Sequence, residues 1–346
     1  MTPLSADPTA RATFDRAIDL AERLAAVGAK PSIDLEGAPP SPSPAECGAI
    51  LRFAEATVAD AKGAAMDRFL DGTRATYTWR APSGAPQSAA VFPQFRIARG
   101  YNEATALGLP GALPKRTPAL DQAINSMTLG RATPAQVAQV TQALIDAGNL
   151  VIPPGGDPLT AIRAMQWKYG VGLDCARYVQ QAFLACRGLD PLSPATRARF
   201  GFAADLGNED LCGVAKSPKF RAIDPAAAKP GDLMLLGPPK DQLVGHTLLV
   251  RSNLALAPSW RADLLARNPE PSVRALLTAD VRVVEVDSSW GGGKDGHGGV
   301  AREAWLYEPT TKRWATWAAD GEVTLSAPGG PYDHPLIGVF RPKGEP

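Results

Sequence analysis

The stretch YGVGLDCARYVQQAF, residues 169–183, gathers residue types that can do chemistry. A glycine-flanked loop delivers Cys175 to the start of a helix expected over 174–186, with Ala176, Val179, Phe183 and Leu184 on or near one face. The first turn of a helix presents unpaired backbone N–H groups and the positive end of the helix dipole. Both favour thiolate over thiol. The same N–H groups can stabilise the oxyanion formed when sulfur attacks a carbonyl. A cysteine nucleophile needs a histidine base, and the base needs an orienting group. The chain has three histidines. His246 heads the apolar run HTLLV directly after Val244-Gly245, where a strand can hold its ring rigidly. His297 lies in the glycine-rich GGGKDGHGGV and His334 in the turn GGPYDHPL. Asp287, read as the end of the strand VRVVEVD, is the expected acceptor for the second N–H of His246. Ser288 and Glu285 are its rivals, Glu285 being on the same strand face as Asp287.

The elements that must position these residues follow from periodicity and turn signals. Residues 8–28 and 46–70 read as amphipathic helices separated by a Pro/Ser/Gly-rich connector. Residues 75–80 and 89–97 read as strands with a turn at Ser83-Gly84. A helix starts at Thr133-Pro134 and runs to Gly148. Residues 1–150 contain no histidine and one cysteine, and read as a mainly helical accessory region. Past Pro153-Pro154-Gly155-Gly156 come a helix over 159–168 with Asp157 near its start, the loop 170–173, and the cysteine helix. Strands are expected at 232–236, 246–251, 281–286, 313–317, 322–325 and 337–341, with Asp320-Gly321 as a hairpin turn. Helices first and strands later favour an α+β fold with an antiparallel sheet over a doubly wound parallel one. The second domain is expected to span 151–346.

Four blocks in order carry a resemblance. GLDCARYVQQAF resembles the Asp-Cys block of the NlpC-type papain-like cysteine peptidases and amidases. KPGDLMLL (229–236) and VGHTLLV (244–250) resemble the two strands of that family that lead to and carry its histidine. VVEVDSS (283–289) resembles the strand of its third polar member, and IGVFRP (337–342) its closing strand. The resemblance covers roughly residues 155–346. It implies a papain-like half in which the cysteine helix packs on an antiparallel sheet. It implies cleavage of amide bonds in peptidoglycan stem peptides or muropeptides, with Cys175 as nucleophile, His246 as base and Asp287 as orienter. It also points to Asp174, Tyr169 and Trp167 as oxyanion or cleft residues, since the family places a tyrosine upstream of its cysteine. The chain departs from the family at Ala176-Arg177, where Ser-Gly is usual, and in offering an acid as third member where histidine is common.

Composition narrows the classes. With 36 Lys and Arg against 35 Asp and Glu, the 346-residue chain lacks the basic excess of a wholesale nucleic-acid binder. No apolar stretch approaches a membrane span. The first residues lack the pattern of a secretory signal, so a cytoplasmic protein or one exported by a non-classical route is expected. Cys47, Cys175, Cys186 and Cys212 form no CxxC pair, and neither metal nor organic cofactor is expected. Gly291-Gly292-Gly293-Lys294 is followed by Asp295 where a phosphate loop needs Ser or Thr, and reads as a flexible loop. Expected partners are a peptide or muropeptide, with a protein partner open to residues 1–150. Two other readings stand beside the first: the same triad acting on a protein or small amide as a deamidase, transferase or effector protease, and a non-catalytic binding protein on this fold.

Overall fold

The computed structural model describes residues 61–95, 108–202, 213–237, 245–290, 299–317, 321–326, 330 and 334–346. The helices expected over 8–28 and over most of 46–70 lie outside these residues. The remainder of the second is α1, Ala61–Thr73. A hairpin follows, β1 (Ala75–Arg80) and β2 (Pro86–Val91), paired antiparallel. Then come α2 (Leu109–Ala112), α3 (Pro118–Thr128), α4 (Pro134–Asp146), α5 (Pro158–Lys168), α6 (Cys175–Ala185) and α7 (Pro194–Phe200).

Local chemistry sets where most of these helices start. Thr117, Thr133, Asp157, Asp174 and Ser193 are each extended residues whose side-chain oxygen accepts a first-turn N–H. At Thr133 the bond is reciprocated by Gln136, which completes a capping box. Proline follows every one of these caps except Asp174, where Cys175 takes the first helical place.

The large sheet has the order β3-β10-β4-β5-β6-β7-β8-β9, with every pair antiparallel. Its strands are β3 (Phe220–Ile223), β4 (Leu233–Leu236), β5 (His246–Ala255), β6 (Arg282–Trp290), β7 (Gly299–Glu308), β8 (Arg313–Trp317), β9 (Val323–Leu325) and β10 (Leu336–Pro342). Between β5 and β6 run α8 (Pro258–Arg267) and α9 (Pro271–Thr278). The fold is thus α+β with an antiparallel sheet.

Alternation along the strands separates two cores. Leu233, Leu235, Leu249 and Val300 join the core that holds Val179 and Phe183 of α6. Met234, Leu236, Leu248, Val250, Val284, Val286 and Trp305 form the core of the opposite face. A third cluster gathers Val283, Leu306 and Ala315 under Leu264, Val273 and Leu277 of α8 and α9. Phe183 is the hub of an aromatic group, edge-on to Phe200 at 5.0 Å and to Phe202 at 5.3 Å.

Three features differ from expectation. β6 runs on through Ser288, Ser289 and Trp290, so Asp287 lies inside the strand rather than at its end. β7 occupies sequence that alternation had not marked, because Arg302 sits in it at 1% exposure among apolar residues. The apolar core does not break at residue 150 either: Met66, Tyr77, Ile124, Val140 and Leu144 belong to the same cluster as Val179 and Leu249.

Candidate active site

Cys175 is the first residue of α6 and is buried, at 1% exposure. The loop before it is held from two sides. Leu173 N–H donates to the Gln94 carbonyl at 2.9 Å, and the Leu173 carbonyl accepts from Ser289 Oγ at 2.6 Å. Gly172 allows this approach, since a Cβ there would lie 1.9 Å from the Gln94 oxygen. Asp174 Oδ1 accepts the Arg177 N–H at 2.7 Å, so its carboxylate caps α6. Tyr169 ends α5 and its hydroxyl donates to Asn149 Oδ1 at 2.8 Å, which takes it out of an oxyanion role. Trp167 is half-buried on α5. With the Arg177 N–H taken by Asp174, the N–H groups of Cys175 and Ala176 are the first-turn donors of α6 that the helix does not itself bond.

His246 is the first residue of β5 and is 8% exposed. Gly245 precedes it because a Cβ there would come within 2.2 Å of the Leu236 carbonyl oxygen. The imidazole packs against Trp290, ring centroids 4.1 Å apart, and stands 6.4 Å from the His334 ring. His246 Nε2 lies 3.0 Å from Ser288 Oγ, and Ser288 donates its hydroxyl proton to the Thr247 carbonyl at 2.7 Å. With that proton committed, Ser288 Oγ accepts from Nε2–H, which assigns the tautomer and leaves Nδ1 as the lone-pair nitrogen. Burial, assisted by like-charge repulsion from His334, pushes the His246 pKa from the ordinary 6.5 down to about 3. The ring is therefore neutral in the resting site.

Asp287 does not orient His246. It stands opposite Leu249 across the β5–β6 ladder, so alternation turns it to the α6 face while His246 takes the parity of Leu248. Both its oxygens accept from Arg302, Nε at 2.5 Å and the terminal nitrogen at 2.7 Å. Arg302 continues to Asp67 of α1 at 2.7 Å, and Asp67 also takes a two-pronged contact from Arg251 at 2.8 Å. Burial alone would push Arg302 down, but Asp287, Asp67 and Glu285 hold its pKa well above the usual value. This buried chain of charges ties α1 to β5, β6 and β7. The other acidic rival, Glu285, two residues before Asp287 on β6, accepts from Ser252 Oγ at 2.6 Å.

Two residues here escaped the sequence reading. Ser288 was a rival only, since a serine at an expected strand end carries no spacing signal. Arg163 of α5 brings a guanidinium nitrogen to within 3.1 Å of where a Gly299 Cβ would lie, across the ladder from Trp290. Its Nε is buried with no partner among the described residues, and burial lowers its pKa. Cys186 caps the far end of α6, donates to the Phe183 carbonyl and has its pKa raised by burial, as expected of an inert thiol. Cys47, Cys212, His297 and the loop at 291–294 lie outside the described residues. Among the described residues no group of three or more His, Cys, Asp or Glu could hold a metal, and no helix is long and apolar enough to cross a membrane. No family model matches the chain, and comparison with curated proteins and with solved structures finds no match.

Proposed function

We propose that this chain is a cysteine hydrolase of amide bonds in peptidoglycan stem peptides or related muropeptides, with Cys175 as nucleophile, His246 as base and Ser288 in the orienting role expected of Asp287. The observation that carries this reading is the pair of consecutive serines on β6. Ser288 holds the His246 ring in the Nε2–H tautomer, and Ser289 holds the carbonyl two residues before Cys175. As neighbours on β6 the two serines point to opposite faces of the sheet, so Ser289 holds the Cys175 loop on the α6 face while Ser288 holds the ring of His246, the first residue of β5, from the other. The substrate class comes from the resemblance of residues 155–346 to NlpC-type enzymes.

In this reading Cys175 Sγ attacks the carbonyl carbon while its proton passes to His246 Nδ1, a transfer that requires the ring to reach past the start of β5 to the α6 face. A base with so low a pKa takes the proton only as negative charge develops beside it, which raises the proton affinity of the ring. First-turn N–H groups of α6 meet the oxyanion. The C–N bond then breaks, and the imidazolium returns its proton to the leaving amine. Water, deprotonated by the regenerated His246, cleaves the thioester and releases the acid and the thiol. Arg163, whose buried Nε has no partner among the described residues, supports the reading as a group that would meet a substrate carboxylate, which stem peptides carry.

The test is a panel of muropeptides and unrelated amides assayed with wild type and Cys175→Ala, each checked for folding by circular dichroism. Release of an amine from a muropeptide by the wild type, abolished in the folded variant, is expected. Full activity in Cys175→Ala, or no turnover of any muropeptide, contradicts the proposal.

A further inference from the structure

Arg177, two residues past Cys175, lies where the family resemblance fails, and the hydrolytic reading gives it no role. It is 5% exposed, yet no carboxylate pairs with its guanidinium among the described residues. One terminal nitrogen donates to Gln180 Oε1 at 2.9 Å and the other to the Arg131 carbonyl at 3.0 Å, in the connection between α3 and α4. Its Nε is buried without a partner. Gln180, fully buried one turn along α6, has a buried Nε2 without a partner, and so has Arg197 of α7 at its Nε.

These orphaned groups are all donors. Buried donors are normally satisfied, and leaving one unmet is costly, the more so for a charged group. A site short of acceptors and rich in positive charge is short of an anion. Burial first, then repulsion from Arg197 and to a smaller degree from Arg131, brings the Arg177 pKa down to about 10 against the pull of Asp174. Gln181 braces the same surface by donating to the Ala132 carbonyl at 3.1 Å, so the donors are set on a fixed frame.

We infer that Arg177, Gln180 and Arg197 form a binding site for an oxyanion, a phosphate or carboxylate group, between α6, α7 and the α3–α4 connection. The guanidinium fork suits either group, because both offer two oxygens in one plane. The site is separate from the proposed nucleophile: Arg177 projects from α6 on a different side than Cys175, two residues being about 200° of helical turn. It does not depend on the hydrolase reading. An anion bound there would lock the nucleophile helix to α7 and to the α3–α4 connection.

The experiment is thermal unfolding of the full chain against rising phosphate, with chloride at matched ionic strength as control and acetate and glutamate as parallel arms. A ligand that binds only the folded state raises the unfolding temperature in a saturable way. Wild type is expected to respond to one of these anions above the chloride control. A stronger response to phosphate identifies a phosphate ligand, and a stronger response to acetate or glutamate a carboxylate. Arg197→Gln, at a half-exposed position, is expected to fold and to weaken the response by about tenfold in dissociation constant. Gln180→Glu supplies the missing negative charge internally, so it is expected to raise the unfolding temperature without added anion and to abolish the response. The inference is overturned if no anion acts beyond chloride, or if both variants respond as the wild type does.

Discussion

At the scale of single residues, Asp287 is taken up by Arg302, and His246 meets Ser288 instead. The His246 ring meets a hydroxyl that has already given its proton to a backbone carbonyl. Ser288→Ala removes that acceptor while keeping the strand, so kcat is expected to fall by about 10- to 100-fold with KM little changed. Steady-state kinetics checks this, and an unchanged kcat would remove Ser288 from the mechanism. Asp287→Asn leaves Arg302 buried with half its charge balance gone, a change expected to cost about 3–5 kcal/mol of stability. Denaturant unfolding measures it, while kcat in the folded variant should persist. Acidity acts through His246. Its folded pKa, about 3, lies below the ordinary 6.5. The unfolded chain therefore binds the proton first, and the neutral ring's contribution to stability, full above pH 6.5, is lost as pH falls toward 3. Unfolding free energies measured across that window should drop less steeply in His246→Gln than in the wild type.

At the scale of elements, what could be read from the sequence depended on whether one residue type marked the element. The cysteine helix was legible from the glycine loop before it and from Ala176, Val179, Phe183 and Leu184 at helical spacing, and the structure has it at Cys175–Ala185, buried from Cys175 to Leu184. The Thr133-Pro134 start and the strand headed by His246 were legible for similar reasons. β7 was not, because a buried arginine interrupts its apolar pattern and the glycine-rich residues before it suggested a continuing loop. Missing β7 then misassigned Asp287, whose true partner Arg302 sits in that strand. The helices α8 and α9 between β5 and β6 were also missed; each begins at a proline after a residue, Ala257 or Glu270, that does not stand out as a cap. Of the site, Cys175 and His246 could be singled out by residue type and flanking glycines. Ser288 was named only as a rival to Asp287, since its contacts with His246 and Thr247 lie in a register that only pairing reveals.

At the scale of the molecule, the described part of 1–150 and the sheet share one apolar core, and Asp67 reaches from α1 into the buried charges of β5 and β7. A fragment of residues 151–346 would expose that core and strand Arg302 and Arg251 without Asp67. It is expected to show no cooperative thermal transition, where the full chain shows one; a sharp transition in the fragment would mark 150 as a true boundary. The central claim is that Cys175 and His246 react as one unit. Its most direct measurement is the rate of iodoacetamide labelling at each cysteine, read by peptide mass spectrometry, in wild type, His246→Ala and Asp287→Asn. The account expects Cys175 to label faster than Cys186 at neutral pH, to slow by about tenfold or more in His246→Ala, and to keep its rate in folded Asp287→Asn. Labelling of Cys175 no faster than Cys186, or unchanged by loss of the imidazole, would contradict it.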